Sequence, residues 1–325
     1  WLQMVTEEVG DYLAGSFLEE AAIIPVSSKT NQGLDDLKSA LGLLADEIQE
    51  KSADGFFRLP VDRVFTVPGF GAVVTGTLLS GKVQVGDSVE VLPPGETVRV
   101  RAIKVHGQKA DCARAGQRVA LNLAGMERSE LQRGAVVCTP AFFTQTERFD
   151  ARLTLLDEAP KALKFRDPVH LHMGTAKVTA RVVLLDRDTL EPGQSALVQL
   201  ALDAPLVGHR QDRFIVRSYS PMTTIGGGRV IDSEPAKHKR FRKEVLQRLE
   251  ELESGEQGFW LQKLDDLTCA RLRDMERQTG SSREQLREGL ERMVADGWAV
   301  QLADQYAVVE KVRSWKQQLQ ELVAS

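Results

Sequence analysis

The chain has 325 residues, of which 42% are hydrophobic and 27% charged, and its formal net charge at pH 7 is -4. This length predicts two to four domains of roughly 100 residues each. The slight negative charge excludes a strongly basic protein that binds nucleic acid indiscriminately by neutralising phosphates, and no window approaches the ~20 apolar residues of a membrane span.

The three cysteines are scattered, and none lies in a CxxC pair. Such spacing favours neither a disulfide framework nor a zinc site, and it is typical of a protein of the reducing cytoplasm. The first residue is Trp1, and no charged region followed by an apolar core begins the chain. We therefore expect no signal peptide, and we expect the sequence to be a fragment of a longer protein.

Residues 1–52 are predicted to form helix, strand and helix. Residues 21–26 are a continuous apolar run, typical of a strand covered on both faces, and four leucines follow Gly33 at helical spacing. This pattern indicates the last αβα unit of a parallel sheet. The polar residues 50–55 then predict a linker.

Between residues 57 and 141 the apolar residues recur with a period of two, and glycines mark sharp turns. Short strands that reverse so often are typical of a small closed antiparallel barrel. Val100 and Ile103 fall on opposite phases of the alternation, so we expect a bulge near Ala102 that keeps both facing the core. The turn glycines are Gly69, Gly71, Gly76, Gly81 and Gly86.

The strand pattern repeats over residues 147–235, with turn signals at Pro192-Gly193 and in the triple glycine that begins at Gly226. This repetition predicts a second antiparallel barrel directly after the first. Within it, His170 and His172 would lie on one strand face at a spacing that a metal could use. No third ligand is evident nearby, so a polar face or an RNA contact is favoured over a metal site.

Residues 236–325 are predicted to be mostly helical, with apolar residues at helical intervals over 245–252, 261–267 and 286–294. A hairpin over 298–309 and a last helix over 310–323 follow. Three helices closed by a two-stranded wing predict a winged helix. Basic and acidic residues are equal in number over this region, which favours a spacer over a nucleic-acid reader.

Residues 76–82 match the GxxxxGK pattern of phosphate-binding loops. A P-loop continues with Ser or Thr, which coordinates magnesium, and with a helix whose N-terminal amides contact phosphate. Val83 follows here, and the sequence continues as a strand. We therefore interpret the segment as a barrel turn.

The stretch from Asp62 to Val91, DRVFTVPGFGAVVTGTLLSGKVQVGDSVEV, resembles the second domain of translational GTPases that deliver aminoacyl-tRNA, and in detail the selenocysteine-specific elongation factors of the SelB family. The resemblance covers almost the whole chain and is strongest over 57–141. It implies a partial α/β GTPase unit, two tandem antiparallel β-barrels that are elongation-factor domains 2 and 3, and an α+β winged helix with the start of a following helix.

The resemblance implies that selenocysteinyl-tRNA and the ribosome are partners and that the intact protein, a cytoplasmic monomer, uses GTP and Mg²⁺. It also implies an mRNA hairpin as a partner, bound by C-terminal winged helices that this chain lacks. The chain has no P-loop and no NKxD motif, so we expect it neither to hold nor to hydrolyse GTP alone. No Ser/His/Asp or Cys/His grouping suggests a hydrolytic centre, so no catalytic residue is expected.

Ser27, Ser28 and Lys29 follow the predicted strand of the first unit. They resemble the last guanine-contacting loop of GTPases, in which backbone amides meet the guanine at the carboxyl edge of a parallel sheet. The alternative is an ordinary turn and helix cap.

The resemblance places Asp62, Arg63 and Arg118 in the pocket that receives the selenocysteinyl group. A selenol ionises more readily than a thiol, so two guanidiniums would favour the selenolate over a neutral seryl hydroxyl. Adjacent strand residues point to opposite faces, so Asp62 and Arg63 share a face only where the strand is irregular. The alternative is an arginine with an ordinary ion pair on a solvated barrel face.

One segment, KHKRFRK, concentrates positive charge. It is interpreted either as a solvated linker or as a contact to tRNA or the ribosome. The basic residues are Lys237, Lys239, Arg240, Arg242 and Lys243.

Two other functions are compatible with parts of the sequence. A general aminoacyl-tRNA elongation factor, or a related GTPase, would share the barrels, but the winged-helix tail and the Arg63/Arg118 pair oppose it. A winged-helix regulator that binds DNA is the second, and the zero net charge of residues 236–325, which include the predicted recognition helix (residues 281–296), opposes it.

Overall fold

The structure is a computed structural model that describes residues 1–48, 53, 55–67 and 71–324. It divides into two compact units, residues 1–51 and residues 52–325. The predicted turn at Gly69 and most of the predicted linker over 50–55 lie outside the described residues. Among the described helices, none has the length and apolarity that crossing a membrane would need.

Over residues 1–48, the described part of the first unit, the chain forms two helices, α1 (Leu2–Leu13) and α2 (Leu34–Glu47). The prediction of a covered strand over residues 21–26 was wrong, because these residues join no sheet and Ile23 is 38% exposed. An apolar run forms a parallel strand only when neighbouring strands supply its backbone partners, and the described part of this unit contains no other strand.

The described residues of the first barrel region form nine strands. Six of them close a ring in the order β4-β9-β1-β2-β8-β5, with β5 pairing back to β4. Strand β6 extends the sheet beside β5, while β3 and β7 form a separate pair. The strands are β1 (Arg58–Val67), β2 (Gly71–Thr77), β3 (Lys82–Gln84), β4 (Ser88–Leu92), β5 (Glu96–Val105), β6 (Gln108–Ala110), β7 (Cys112–Arg114), β8 (Arg118–Leu123) and β9 (Val136–Cys138).

Two local predictions for this barrel are confirmed. The register of β5 against β8 shifts between Val100 and Ala102, so Val100 and Ile103 are both buried. The GxxxxGK segment joins β2 to β3 without a helix. Gly76 is required there because any Cβ would overlap the Pro60 carbonyl, so this glycine serves close strand packing.

The second barrel is closed in the order β10-β15-β13-β12-β16-β17, as predicted for an antiparallel barrel. Its centre is filled by fully buried side chains such as Phe149, Leu171 and Leu200. The short strands β11 (Leu163–Lys164) and β14 (Thr189–Leu190) pair with each other. The barrel strands are β10 (Gln145–Leu155), β12 (Pro168–Met173), β13 (Ala176–Leu184), β15 (Ser195–Val207), β16 (Arg213–Ser218) and β17 (Thr224–Asp232).

Five helices and a small sheet of order β18-β20-β19 follow the barrels. The predicted hairpin is confirmed as β19 and β20, whereas the short helix α5 and the strand β18 were not predicted, since α5 is mostly polar. The winged-helix assignment stays a prediction. The elements are α3 (Lys243–Glu253), α4 (Glu256–Leu267), β18 (Ala270–Arg271), α5 (Leu272–Thr279), α6 (Arg283–Ala295), β19 (Ala299–Leu302), β20 (Gln305–Val308) and α7 (Val309–Ala324).

The helices share a hydrophobic core with the second barrel. Leu185 and Ile231 of the barrel pack in one buried cluster with Leu249 and Phe259 of the helices. Arg152 of β10 adds an ion pair to Glu253 at the end of α3. The barrel and the helices are therefore packed against each other directly.

Candidate anion-binding face of the first barrel

The structure brings together the three residues predicted for the pocket, on the outer face of the first barrel. Arg63 of β1 lies opposite Thr75 of β2, and Arg118 of β8 lies opposite Thr77. Residues directly opposite each other in a sheet share a face, and residues two apart on one strand also share it. Arg63, Thr75 and Arg118 are therefore on one side.

A bulge in β1 places Asp62 on that side as well. The register against β2 shifts between Val61 and Arg63, and Val61 and Val64 both pack into the barrel core although they are three residues apart. The extra residue lets two consecutive side chains, Asp62 and Arg63, point outward. The sequence required an irregular strand for Asp62 and Arg63 to share a face, and this bulge is that irregularity.

Asp62 binds Arg118 through both carboxylate oxygens. Arg118 Nη1 donates to Asp62 Oδ2 at 2.5 Å, and Nη2 donates to Oδ1 at 3.1 Å. The Thr75 hydroxyl donates to the same Oδ1 at 2.7 Å. Burial alone would raise the pKa of Asp62, but the bonds from Arg118 and Thr75 and the charge of Arg63 hold it below its usual range.

Two cations on this face have no carboxylate partner in the described part of the chain. One is Arg63, and the other is Lys104 of β5, which lies opposite Ala120, the neighbour of Thr75 in the sheet. Sequence reasoning missed Lys104, although the inward positions of Ile103 and Val105 imply that it points outward. After Asp62 has neutralised Arg118, the face keeps an excess of positive charge.

Ser27, Ser28 and Lys29 lie in the first unit, before α2. The Ser27 hydroxyl accepts a hydrogen bond from the Thr30 amide at 3.3 Å, and the Ser27 amide donates to the Gln32 carbonyl at 3.0 Å. Ser28 and Lys29 are exposed. The loop is a local hydrogen-bonded turn, and its contact with guanine stays a prediction.

The basic segment divides into two kinds of residue. Arg240 packs on the second barrel, where it donates to the carbonyls of Leu184 and Arg187 and lies 4.3 Å from the ring centre of Phe165. It is therefore unsuited to contact RNA. The side chains that remain exposed are Lys237, Lys239, Arg242 and Lys243.

A second positive face lies on the outside of the second barrel. His170 and His172 of β12 lie beside Lys177 of β13 and Arg217 of β16. The three strands carry no Asp or Glu. One ring nitrogen of each histidine is buried without a hydrogen-bond partner among the described residues, and His170 stacks on Tyr219 with 5.3 Å between ring centres.

No group of three His, Cys, Asp or Glu side chains in the described ranges is placed to hold a metal ion. His170 and His172 lie on a polar face that also carries the cations Lys177 and Arg217. A polyanion offers what this face needs, namely negative charge for Lys177 and Arg217.

Family models match both barrels. Residues 71–138 match "Elongation factor Tu domain 2", and residues 147–237 match "Selenocysteine-specific elongation factor, beta-barrel domain". The selenocysteine-specific elongation factor of Desulfomicrobium baculatum is 45% identical over 245 residues, which are 75% of this chain and 39% of that protein. The Escherichia coli protein of the same name is 34% identical over 76% of this chain and 38% of its own length.

Solved structures have the same fold. The crystal structure of a bacterial selenocysteine-specific elongation factor superposes with a TM-score of 0.78 over 99% of this chain and 51% of that one, at 22% sequence identity. The apo elongation factor SelB from Methanococcus maripaludis gives 0.63 over 74% of this chain and 55% of its own, at 24% identity. The chain thus spans well under two thirds of each of these proteins.

Proposed function

Because the chain belongs to the family of selenocysteine-specific elongation factors, we propose that the intact protein binds selenocysteinyl-tRNA and delivers it to the ribosome in a GTP-dependent manner. The observation that carries the proposal is the shared outer face of Asp62, Arg63 and Arg118, which the β1 bulge creates. This chain contributes the surface that receives the aminoacylated end of the tRNA.

Selectivity for selenocysteine follows from charge. Near neutral pH the ligand carries a selenolate, which gains charge-assisted hydrogen bonds from guanidinium N–H groups, whereas a seryl hydroxyl is neutral and gains little. Arg118 is 53% exposed on its side chain, so its unused N–H groups are accessible to a ligand, and Arg63 adds uncompensated charge beside it. Closing the pocket against water would strengthen both interactions.

The second barrel supports a nucleic-acid partner. Lys177 and Arg217 with His170 and His172 form an acid-free face of the kind that tracks a phosphate backbone. Residues of the basic segment that stay exposed, such as Lys237 and Lys239, add further positive charge after the last barrel strand.

We infer that GTP and Mg²⁺ are bound by the intact protein. Of the residues present, the loop over 27–29 suits only the edge of the guanine base, because the exposed Ser28 and Lys29 can offer their backbone amides to an oxygen, whereas the Ser27 amide is bonded to the Gln32 carbonyl. Hydrolysis of bound GTP would supply the free energy that makes delivery of the tRNA irreversible. The residues of this chain bind the aminoacyl end and the backbone of the tRNA.

The test compares selenocysteinyl and seryl groups on one tRNA body, bound by the intact protein with GTP. We expect a clear preference for selenocysteinyl, and Arg118→Ala should reduce that preference by about tenfold or more. The matched control is Arg99→Ala, which removes another exposed arginine of the same barrel. Equal affinity for both groups in the unmutated protein would refute the proposed function in favour of a general elongation factor.

A further inference from the structure

A cavity of about 380 Å³ lies where the two barrels and the helices meet. The first barrel contributes Arg58 and Ser80 to its wall, the second barrel contributes His209, and helix α6 contributes Glu284 and Glu288. The residues of the anion-binding face do not line it. A cavity of this size holds a small organic molecule or one long side chain.

Aromatic rings form a continuous part of the wall. Phe56 and Phe142 stack with 3.3 Å between ring centres, and Phe143 meets Phe142 edge-on. His209 lies 6.2 Å from the ring centre of Phe143. Phe56 and Phe142 are only half-buried, so part of their ring surface is accessible from the cavity. Ring faces attract cations, and a planar guanidinium also stacks on them.

Helix α6 adds negative charge to the cavity. Glu284 and Glu288 lie one turn apart, so they are on the same stripe of the helix. Glu284 has no hydrogen-bond or ion-pair partner in the described part of the chain, and Glu288 has an exposed contact with Arg292 at 3.4 Å. The charge of Arg58 is matched by Asp212. The cavity therefore keeps an excess of negative charge.

His209 adds a hydrogen-bond acceptor. Its Nδ1 lies 3.0 Å from the Arg210 carbonyl oxygen, which can only accept, so Nδ1 carries the ring proton. Burial and the charge of Arg58 lower the pKa of His209, so near pH 7 the ring is neutral and Nε2 has a free lone pair. Nε2 lies against Gly280 in the cavity wall, and it has no hydrogen-bond partner among the described residues.

We propose that this cavity binds an organic cation with a guanidinium head, supplied either by a free small molecule or by an arginine side chain of a partner protein. The flat cation stacks on the phenylalanine rings, and its N–H groups donate to Glu284, Glu288 and His209 Nε2. An ammonium group has fewer donors and no flat face, so it fits less well. The inference goes beyond the proposed function, because none of these residues binds the aminoacyl group.

The experiment titrates the full chain with N-acetyl-arginine amide and follows binding by isothermal titration calorimetry. We expect saturable one-to-one binding with a Kd of about 1 mM or lower. The citrulline derivative has nearly the same shape without the charge, and it should bind about tenfold more weakly or worse. The lysine derivative, which keeps the charge without the planar head, should bind several-fold more weakly.

A pair of variants tests the carboxylates. Glu284→Gln/Glu288→Gln keeps the size of both side chains and removes their charge, so it should weaken arginine binding about tenfold or more. The matched control is Glu291→Gln, which removes an exposed charge of α6 outside the cavity and should change the Kd less than about twofold. Thermal unfolding checks that each variant is folded.

Two further ligands identify the source of the cation. Agmatine is a free guanidinium compound, whereas a blocked Gly-Arg-Gly peptide presents the same head on a protein backbone. Tighter binding of agmatine assigns the cavity to a small molecule, and tighter binding of the peptide assigns it to a protein partner.

Three results would overturn the inference. They are no saturable binding of the arginine derivative at about 10 mM, equal binding of the citrulline derivative, and an unchanged Kd in the double glutamine variant. The preference for selenocysteinyl over seryl groups is measured on other residues, so these results leave the proposed function untouched.

Discussion

The Arg58 guanidinium donates to both carboxylate oxygens of Asp212, which lies 154 positions later in the chain, and both N–O distances are 2.6 Å. The pair joins the first strand of one barrel to the start of β16 in the other, and both side chains are largely buried. Asp212 Oδ2 also accepts from the His209 amide. This charge pair is one of the contacts that hold the two barrels together.

Removing one partner of this pair should destabilise the barrels strongly. Arg58→Met leaves the Asp212 carboxylate buried without its counter-charge, at an expected cost of about 3–5 kcal/mol in the free energy of unfolding. The double variant Arg58→Met/Asp212→Asn should recover part of the loss. Urea unfolding measures both, and a single variant within experimental error of the unmutated protein would contradict the prediction.

Gly289 should not tolerate alanine, although it lies inside a helix. Alanine normally stabilises a helix by about 1 kcal/mol relative to glycine, but a Cβ here would overlap the ring of Trp260 in α4. Overpacking should reverse the sign, so Gly289→Ala should cost about 1–3 kcal/mol. Gly42→Ala in α2 meets no atom within 4 Å and is the control expected to stabilise its own helix, as followed by circular dichroism.

The second barrel should bind RNA more tightly as the pH falls. Burial, together with the charges of Lys177, Arg217 and His170, lowers the pKa of His172, so its ring is neutral near pH 7. A bound phosphate raises this pKa and favours proton uptake. Binding of a short RNA duplex should strengthen several-fold between about pH 7.5 and pH 6, and His172→Gln should weaken this trend.

Lys177→Ala is the matched control for that measurement. It should reduce RNA affinity at every pH, because it removes a permanent charge, and it should move the pH trend to higher pH, because the charge of Lys177 helps to lower the pKa of His172. A pH trend that is the same with and without His172 would show that other groups cause it.

Acid should remove the stabilisation that Asp62 provides. Its pKa is lowered in the folded state from the ordinary 3.8, so its ionised form contributes stability above that pH, and the contribution is lost as the pH falls through the folded pKa. The difference in free energy of unfolding between the unmutated protein and Asp62→Asn should therefore shrink below about pH 3.8. Urea midpoints over this range measure it, and a constant difference would count against the prediction.

The barrels could be predicted from the sequence because alternation and turn glycines are local signals. The bulge beside Ala102 followed from the change of phase between Val100 and Ile103, and the comparisons confirm the family to which the residues after Asp62 pointed. The prediction of a strand over residues 21–26 was wrong because a parallel strand depends on partner strands that the local sequence does not specify.

The ligand face was predicted only in part. The resemblance named Asp62, Arg63 and Arg118, but the bond from Thr75 and the place of Lys104 depend on the register of three strands. The same holds for Arg240, which looks like a free cation in the sequence and is bound to the second barrel in the structure. Cross-strand and long-range partners cannot be read from a run of residues.

The core that the second barrel shares with the helices has a mechanical consequence. Leu185 and Ile231 of the barrel pack against Leu249 and Phe259 of the helices, and Arg240 bonds the connecting segment to the barrel. The barrel and the helices therefore have little freedom to rotate relative to each other. A force applied to the hairpin of β19 and β20 would therefore be transmitted through this core to the second barrel as a displacement.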